Sequence, residues 1–296
     1  MIGLINLNKP SGMSSSNAVV KIKKLAHQGR VGHMGTLDPL ASGVLIIGVG
    51  KATRLFDYYL NKTKTYIATF RFGLLTDTLD IEGKITQEDM PIPSQEQIES
   101  VLHNLVGDIS QYPPAYSAKC INGTRAYKLA RQGVEVKLEP KTVTINYIKL
   151  IEKVSEDQYK FEIDCSSGTY IRSIARDMAE LLGTGAIMTA LVRTRCGVFN
   201  LGDSVDLEDL TEENISNNLT SLNEALSDLQ EYLVDDESVL KKILNGVPIS
   251  VQSDDTKVVV IYNTEVIGIA EIKNNKLKII NYMKEWDYDK VWAFRQ

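Results

Sequence analysis

The sequence predicts an α+β fold with a small β-rich unit at its C-terminal end, on three observations. Alternating strand patterns recur at residues 65–72, 143–151 and 159–165, and a long amphipathic helix follows them. Three further strand patterns crowd into residues 257–281. The chain has 296 residues, which at ~150 per domain suggests two domains or one large one with an appendage.

Taken in order, residues 2–7 read as a strand. Ser14-Ser15-Ser16 offers an N-cap for a helix carrying Val19, Val20, Ile22 and Leu25. Residues 29–50 hold six glycines, which mark a long structured loop running into a buried strand. Helices are expected at Lys51 to Leu60 and Ser94 to Val106, on either side of the strand Thr65 to Phe72. Residues 107–140, with Pro113-Pro114 and a basic helix expected from Thr124 to Arg131, read as an excursion from a sheet. That sheet resumes in Val143–Ile151 and Tyr159–Cys165. Apolar residues at 171, 174, 175, 178, 181 and 182 predict a helix, and a strand follows at Ala186–Arg195. Residues 201–237 read as helices and linker, and Ser238 to Leu244 as a helix closed by Asn245-Gly246. Strands are expected at 257–262, 265–272 and 276–281. The predicted division is a larger unit at 1–234, including the acidic segment 201–234, and a C-terminal domain at 235–296.

Composition excludes several classes. Apolar runs such as Gly43 to Val49 are far shorter than the ~20 residues of a bilayer span. Three cysteines, Cys120, Cys165 and Cys196, lie too far apart for a CxxC site and fit a reducing cytoplasm. With three histidines in all, a structural zinc site is not expected. The net charge of −5 hides a division along the chain. Residues 1–200 carry 24 Lys and Arg against 19 Asp and Glu, whereas residues 201–237 carry 12 acids and no Lys or Arg. Phosphate affinity follows local basic density, so this balance permits an RNA partner without requiring one.

The most informative window is Gly32-His33-Met34-Gly35-Thr36-Leu37-Asp38-Pro39-Leu40-Ala41-Ser42-Gly43. From spacing alone Asp38 is either an Asx-turn carboxylate or a carboxylate held against apolar surface by a cationic partner. Arg172 lies in the first turn of its helix, where a cation meets the unfavourable end of the macrodipole. It is either solvated, like Arg176 on the same face, or aimed at a carboxylate. Tyr66 alternates with Ile67 and reads as a core tyrosine, and His33 as a turn residue. Asp77, Asp80 and Glu82 before Gly83 read as a hairpin turn.

Five blocks in order resemble the bacterial tRNA pseudouridine-55 synthase (TruB) family. They are Lys9-Pro10-x-Gly12-x-Ser14-Ser15, the Asp38 window, Thr76-Asp77-Thr78-x-Asp80-x-x-Gly83, Pro113-Pro114-x-Tyr116-Ser117-Ala118 and Gly168-Thr169-Tyr170-Ile171-Arg172. The resemblance spans residues 3–200 and implies the pseudouridine-synthase fold, with a mixed, largely antiparallel sheet flanked by helices. The C-terminal unit resembles, more weakly, a PUA-type RNA-binding domain. The implied activity is isomerisation of uridine 55 in the T stem-loop of tRNA.

Carried over by residue, the resemblance implies that Asp38 is the nucleophile and Arg172 its ion-pair partner, with Tyr66 stacking on the base and completing the catalytic set. His33 corresponds to the residue that helps extrude the base. Tyr170 and Leu191 line the uracil pocket, Lys9 is a further substrate contact, and 107–140 is an insertion that closes over RNA. Met34 stands where the family has a small hydroxyl residue, and Cys120 near an expected lysine for which Lys119 substitutes. The reaction breaks N1–C1′, turns the uracil and joins C5 to C1′, so every atom stays in the product and neither cofactor nor metal is expected. The implied enzyme is a cytoplasmic monomer that acts on tRNA without guide RNA or protein partner. Two competing readings use the same residues: a non-catalytic tRNA-binding or folding module, and a metal-free hydrolase pairing Asp38 with Asp77.

Overall fold

The computed structural model describes residues 1–117, 120–121, 123–126, 129, 132, 134 and 138–283. Its first part supplies β1 (Gly3–Lys9), α1 (Ser15–Leu25), β2 (Val31–His33), β3 (Ser42–Val49), α2 (Phe56–Leu60) and β4 (Lys64–Phe72). A small hairpin of β5 (Leu75–Thr76) and β6 (Ile85–Gln87) leads to α3 (Gln95–Val101) and β7 (Gly107–Gln111). A second hairpin pairs β8 (Cys120–Ile121) with β9 (Thr124–Arg125). There follow β10 (Lys141–Lys153), β11 (Gln158–Cys165), α4 (Ile171–Leu181), β12 (Ala186–Cys196), β13 (Phe199–Asn200) and β14 (Val205–Asp206).

Ten of these strands form one sheet in the order β14-β1-β3-β12-β4-β11-β10-β7, with β2 added to β3 and β13 to β12. Among the described residues, β1–β14 and β3–β12 are its parallel pairs and the rest are antiparallel. The sheet is therefore mixed and largely antiparallel, as the α+β reading expects. The chain continues with α5 (Leu222–Ala225), β15 (Gln230–Leu233), α6 (Glu237–Leu244), β16 (Ile249–Ser250), β17 (Lys257–Tyr262), β18 (Glu265–Lys273) and β19 (Lys276–Tyr282). These last five strands make a second sheet, β15-β17-β18-β19-β16.

Strand alternation decides which core each side chain enters. Ile5 and Leu7 of β1 and Leu45, Ile47 and Val49 of β3 join one cluster, together with Ile22 of α1 and Ile174 and Met178 of α4. Leu4, Val44 and Ile46 point to the opposite face, where they meet Val259, Ile261, Val266 and Ile269 of the small sheet. Val258, Val260 and Ile267 instead face that sheet's own core with Leu240 and Ile243 of α6. The small sheet is thus buried on both sides, and one of its faces completes the core behind β1 and β3.

Local chemistry sets several element ends. Ser14 caps α1 by accepting from the Asn17 amide, and Ser94 forms a capping box with Gln97 at α3. The helix expected at 51–60 divides into a 3₁₀ turn over Gly50–Leu55 and then α2. Ser94 to Val106 likewise ends in 3₁₀ geometry at Leu102–Leu105. In the acidic segment read as helix and linker, β15 pairs in parallel with β17, a contact that no local pattern specifies. Of the basic helix expected from Thr124 to Arg131, Thr124–Arg125 is strand, whereas the described residues Ala126 and Leu129 are helical. Much of the remainder, up to Arg131, lies outside the described residues, as do Lys119, the side chain of Cys120 and residues 284–296.

A shared core makes unfolding of the two sheets one event. Ile261→Ala, at a site 6% exposed, should cost about 2–5 kcal/mol and leave a single calorimetric transition at lower temperature. Two transitions, of which only the smaller had moved, would show that the sheets unfold separately.

Candidate active site

Asp38 sits on the loop between β2 and β3, and the segment from Lys9 to Ser15 clamps that loop. The Ser15 hydroxyl donates to the Leu37 carbonyl and accepts from the Leu37 amide, each at 2.9 Å. The Gly12 amide donates to the Pro39 carbonyl at 2.8 Å, and the Ser11 hydroxyl to that of Leu40 at 2.7 Å. Lys9 was expected to touch substrate, and its position corrects that role. It is fully buried, and its ammonium donates to the carbonyls of Pro10 (2.7 Å), Met13 (2.6 Å) and, more weakly, Pro39 (3.4 Å). Its donors face backbone rather than the cavity, so it ties the clamp to the loop. Burial pulls the Lys9 pKa down to about 8, against the opposing pull of the Asp38 carboxylate.

Of the two readings of Asp38, the ion pair is the one realised. Arg172 Nε lies 3.0 Å from the carboxylate, with the arginine 7% and the aspartate 36% exposed. The guanidinium also donates to the carbonyls of Thr78 (2.9 Å) and Tyr116 (3.1 Å), and lies 3.4 Å from the Asp80 carboxylate. Two carboxylates and two carbonyls offset the unfavourable helix end. Asp80 accepts from the Thr78 hydroxyl and the Glu82 amide, so the turn read as a plain hairpin supplies a partner to Arg172. Burial pushes the Asp80 carboxyl above the usual carboxylate range, against those hydrogen bonds and Arg172. Arg176 is not part of this group: it bonds Asp177 and the Tyr112 carbonyl.

Asp38 stands where two cavities meet. An outer groove of about 1470 Å³ is lined by Arg30, His33, Lys84, Tyr116 and residues of α1. An inner pocket of about 260 Å³, below the size of drug-like ligand sites, is lined by Tyr66, Tyr170, Met188, Leu191 and Arg193. Asp38, Ser117 and Arg172 border both. The pocket side chains are held from different elements. Tyr66 and Leu191 are buried on adjacent strands β4 and β12. Tyr170 precedes α4, and both its backbone polar groups are held by the buried Gln111 side chain. His33 reaches the outer groove only, and burial lowers its pKa.

The pocket also contains residues that sequence reasoning missed. Arg193 is 1% exposed, and its guanidinium donates to the carbonyls of Val44 (2.6 Å) and Gly35 (3.2 Å). The available signal was alternation, since Arg193 shares its strand face with Leu191. Gly43, at φ +98°, lies against the Arg193 backbone, where a Cβ would come within 2.3 Å of its carbonyl oxygen. Lys64 is buried with its ammonium on the carbonyls of Leu60 and Lys62. Ser117 is buried, and its hydroxyl has no partner among the described residues. Met34 packs into the core at 1% exposure, in space left by Gly48, whose missing Cβ would fall 2.6 Å from the Met34 methyl.

Comparison with known proteins places the chain beside a known family. Residues 23–171 match the TruB family pseudouridylate synthase N-terminal domain, and residues 172–247 the tRNA pseudouridylate synthase B C-terminal domain. The chain is similar to tRNA pseudouridine synthase B of Clostridium acetobutylicum, 39% identical over 96% of this chain and 100% of that one. It is also similar to the protein of that name from Dehalococcoides mccartyi, 39% identical over 92% of each chain. Among solved structures, the crystal structure of a Cbf5-Nop10-Gar1 complex contains a chain with the same fold. Its TM-score is 0.74 at 24% identity, covering 97% of this chain and 86% of that one.

The buried Lys9 gives a pH test of the clamp. In the unfolded chain its pKa is the ordinary 10.5, and in the folded chain about 8. Between those values the folded state binds fewer protons, so this group's contribution to stability rises with pH. Lys9→Met lacks that contribution. The unfolding free energy of wild type minus variant should therefore grow as pH rises across this interval in denaturant titrations. A difference that stays flat would show that Lys9 is not held in this buried site.

Proposed function

The chain belongs to the TruB family of pseudouridylate synthases, and on that premise we propose that it converts uridine 55 in the T stem-loop of tRNA to pseudouridine, with Asp38 as nucleophile. The observation that carries the reading is the Asp38–Arg172 ion pair, placed where the groove opens into a pocket of nucleobase size. A duplex or folded stem cannot enter so small a pocket, but one extruded base can. The chain acts alone on tRNA, as a monomer in the cytoplasm, with the 107–140 insertion and the C-terminal sheet adding RNA contacts. No helix among the described residues is long and apolar enough to cross a membrane.

Each residue has a defined task in this reading. The outer groove receives the RNA backbone, and His33 on its wall helps extrude the base. Tyr66 offers its face to the base, and stacking of this kind returns ~1–3 kcal/mol against the cost of flipping. Leu191 and Tyr170 close the pocket walls. Arg172 holds the Asp38 carboxylate in one orientation, and fixed geometry of this kind lowers the barrier to attack. The carboxylate forms a covalent species that divides the transfer into two easier steps, and that bond breaks again to return Asp38 as a free carboxylate. The N1–C1′ bond breaks, the base turns, C5 joins C1′, the C5 proton leaves for the Tyr66 phenolate oxygen, and N1 takes up a proton from water.

Two substitutions test these tasks. Asp38→Asn keeps the side-chain shape and removes the nucleophile, so pseudouridine at position 55 should fall below detection by mass spectrometry while tRNA binding survives. Formation within tenfold of wild type would exclude Asp38 as nucleophile. Tyr66→Phe retains the stacking face but not the hydroxyl, so turnover should fall ~10²–10⁴-fold with affinity unchanged. Turnover equal to wild type would reduce Tyr66 to stacking alone.

A further inference from the structure

Arg193 stands apart from the other arginines of the site. Arg172 faces two carboxylates, whereas no carboxylate lies within ion-pair distance of Arg193 among the described residues. Arg193 donates to two neutral carbonyls, Val44 and Gly35, and a guanidinium carries five N–H donors, which leaves others to face Tyr66. It lines the inner pocket, and it sits directly opposite Tyr66 in the β12–β4 register. Its bond to Gly35 also ties it to the loop that carries Asp38. A buried cation without a counter-charge is costly, and an anion formed beside it in this low-dielectric site is strongly stabilised.

We propose that Arg193 is a positioning residue for proton transfer, its guanidinium providing the counter-charge for the Tyr66 phenolate. This rests on the reading of Tyr66 as the proton acceptor. In the step concerned, Tyr66 has given its phenolic proton to water. The C5–H bond of the re-joined uracil breaks, and its electron pair restores the C5=C6 double bond. The proton passes to the phenolate oxygen, and the charge returned to N1 is neutralised by a proton from water. Without a cation beside it, the phenolate would be the single buried anion of an apolar wall.

The electrostatics of the pocket are consistent with that assignment. Burial pushes the Tyr66 phenol up to about 12, and Arg193, through its charge and a hydrogen bond, opposes the rise. The other titratable or charged groups around Tyr66 are Cys196 on β12, Cys165 on β11, Lys64 on its own strand, Asp38 on the loop, Tyr170 just before α4 and Arg172 on α4. Of the two cations among these groups, Lys64 is engaged with carbonyls and Arg172 with carboxylates, which leaves Arg193.

The test is single-turnover pseudouridine formation on a T-arm RNA, followed against pH for wild type, Arg193→Gln, Arg193→Lys, Tyr66→Phe and Tyr66→Phe/Arg193→Gln, with thermal unfolding of each. Arg193→Gln should lose at least about tenfold at neutral pH, recovering as pH rises, because a one-unit change in an acceptor's pKa is tenfold. Arg193→Lys should recover most of the rate, and Arg193→Gln should cost nothing further once Tyr66 is Phe. An equal loss at every pH, or the same loss in the Tyr66→Phe background, would overturn the proposal and leave Arg193 as packing or as a direct substrate contact. Tyr66→Phe as fast as wild type would instead sink the underlying reading of Tyr66, and the proposal with it. If Arg193→Gln does not fold, Arg193→Lys decides: a wild-type pH profile supports the counter-charge, and a pH-independent loss overturns it.

Discussion

The ion pair between Asp38 and Arg172 is the contact around which the site is assembled. A loop carboxylate and a helix arginine, distant in sequence, meet at 3.0 Å only because two further segments converge on the same guanidinium. The hairpin turn gives Asp80 and the Thr78 carbonyl, and the Pro113–Ser117 segment gives the Tyr116 carbonyl. A buried ion pair of this kind does not add much net stability, because desolvation cancels most of the attraction. What it does supply is orientation: with the arginine 7% exposed and fully engaged, the carboxylate has one way to point. Stability comes from the apolar clusters on either face of the sheet, and the ion pair uses that rigidity.

The clamp on the Asp38 loop follows the same logic with neutral groups. Ser15, Gly12 and Ser11 each bond the Leu37–Leu40 backbone, and Lys9 reaches Pro39 from below. Lys9 and Lys64 are both buried with their ammonium groups on backbone carbonyls, an arrangement that satisfies donors while leaving positive charge under the pocket. Arg193 adds a third buried cation. Desolvating such ions costs several kcal/mol each, so the positive interior suits a site that handles an anionic RNA and builds negative charge during turnover.

The small C-terminal sheet bears on the site through packing rather than contact. Val259, Ile261, Val266 and Ile269 cover Leu4, Val44 and Ile46, whose neighbours in β1 and β3 carry Lys9 and begin just after the Asp38 loop. The Arg54 guanidinium donates to the Tyr282 carbonyl, and Asn281 donates back to the Arg54 carbonyl, fixing the sheet against the 3₁₀ turn after β3. Removing the sheet would expose an apolar face behind the strands that flank the Asp38 loop.

Much of this molecule was legible in its sequence because the relevant signals are local. Strands at 257–262, 265–272 and 276–281, the Ser14 cap and the helix at Ile171–Leu181 follow from spacings within a few residues, and the elements stand close to those positions. Asp38 and Arg172 were also legible as a possible pair, since a cation in a first helical turn and a carboxylate between leucines each ask for a partner. Periodicity has no term for contacts between distant segments. It could not place Asp80 beside Arg172, turn Lys9 inward onto carbonyls, recruit Gln230–Leu233 to the far sheet, or set Arg193 across from Tyr66. The sequence determined which residues are chemically capable and which segments are helix or strand. The tertiary structure decided which charges face each other, because strand order and burial set both the distances and the local dielectric on which ion pairing depends.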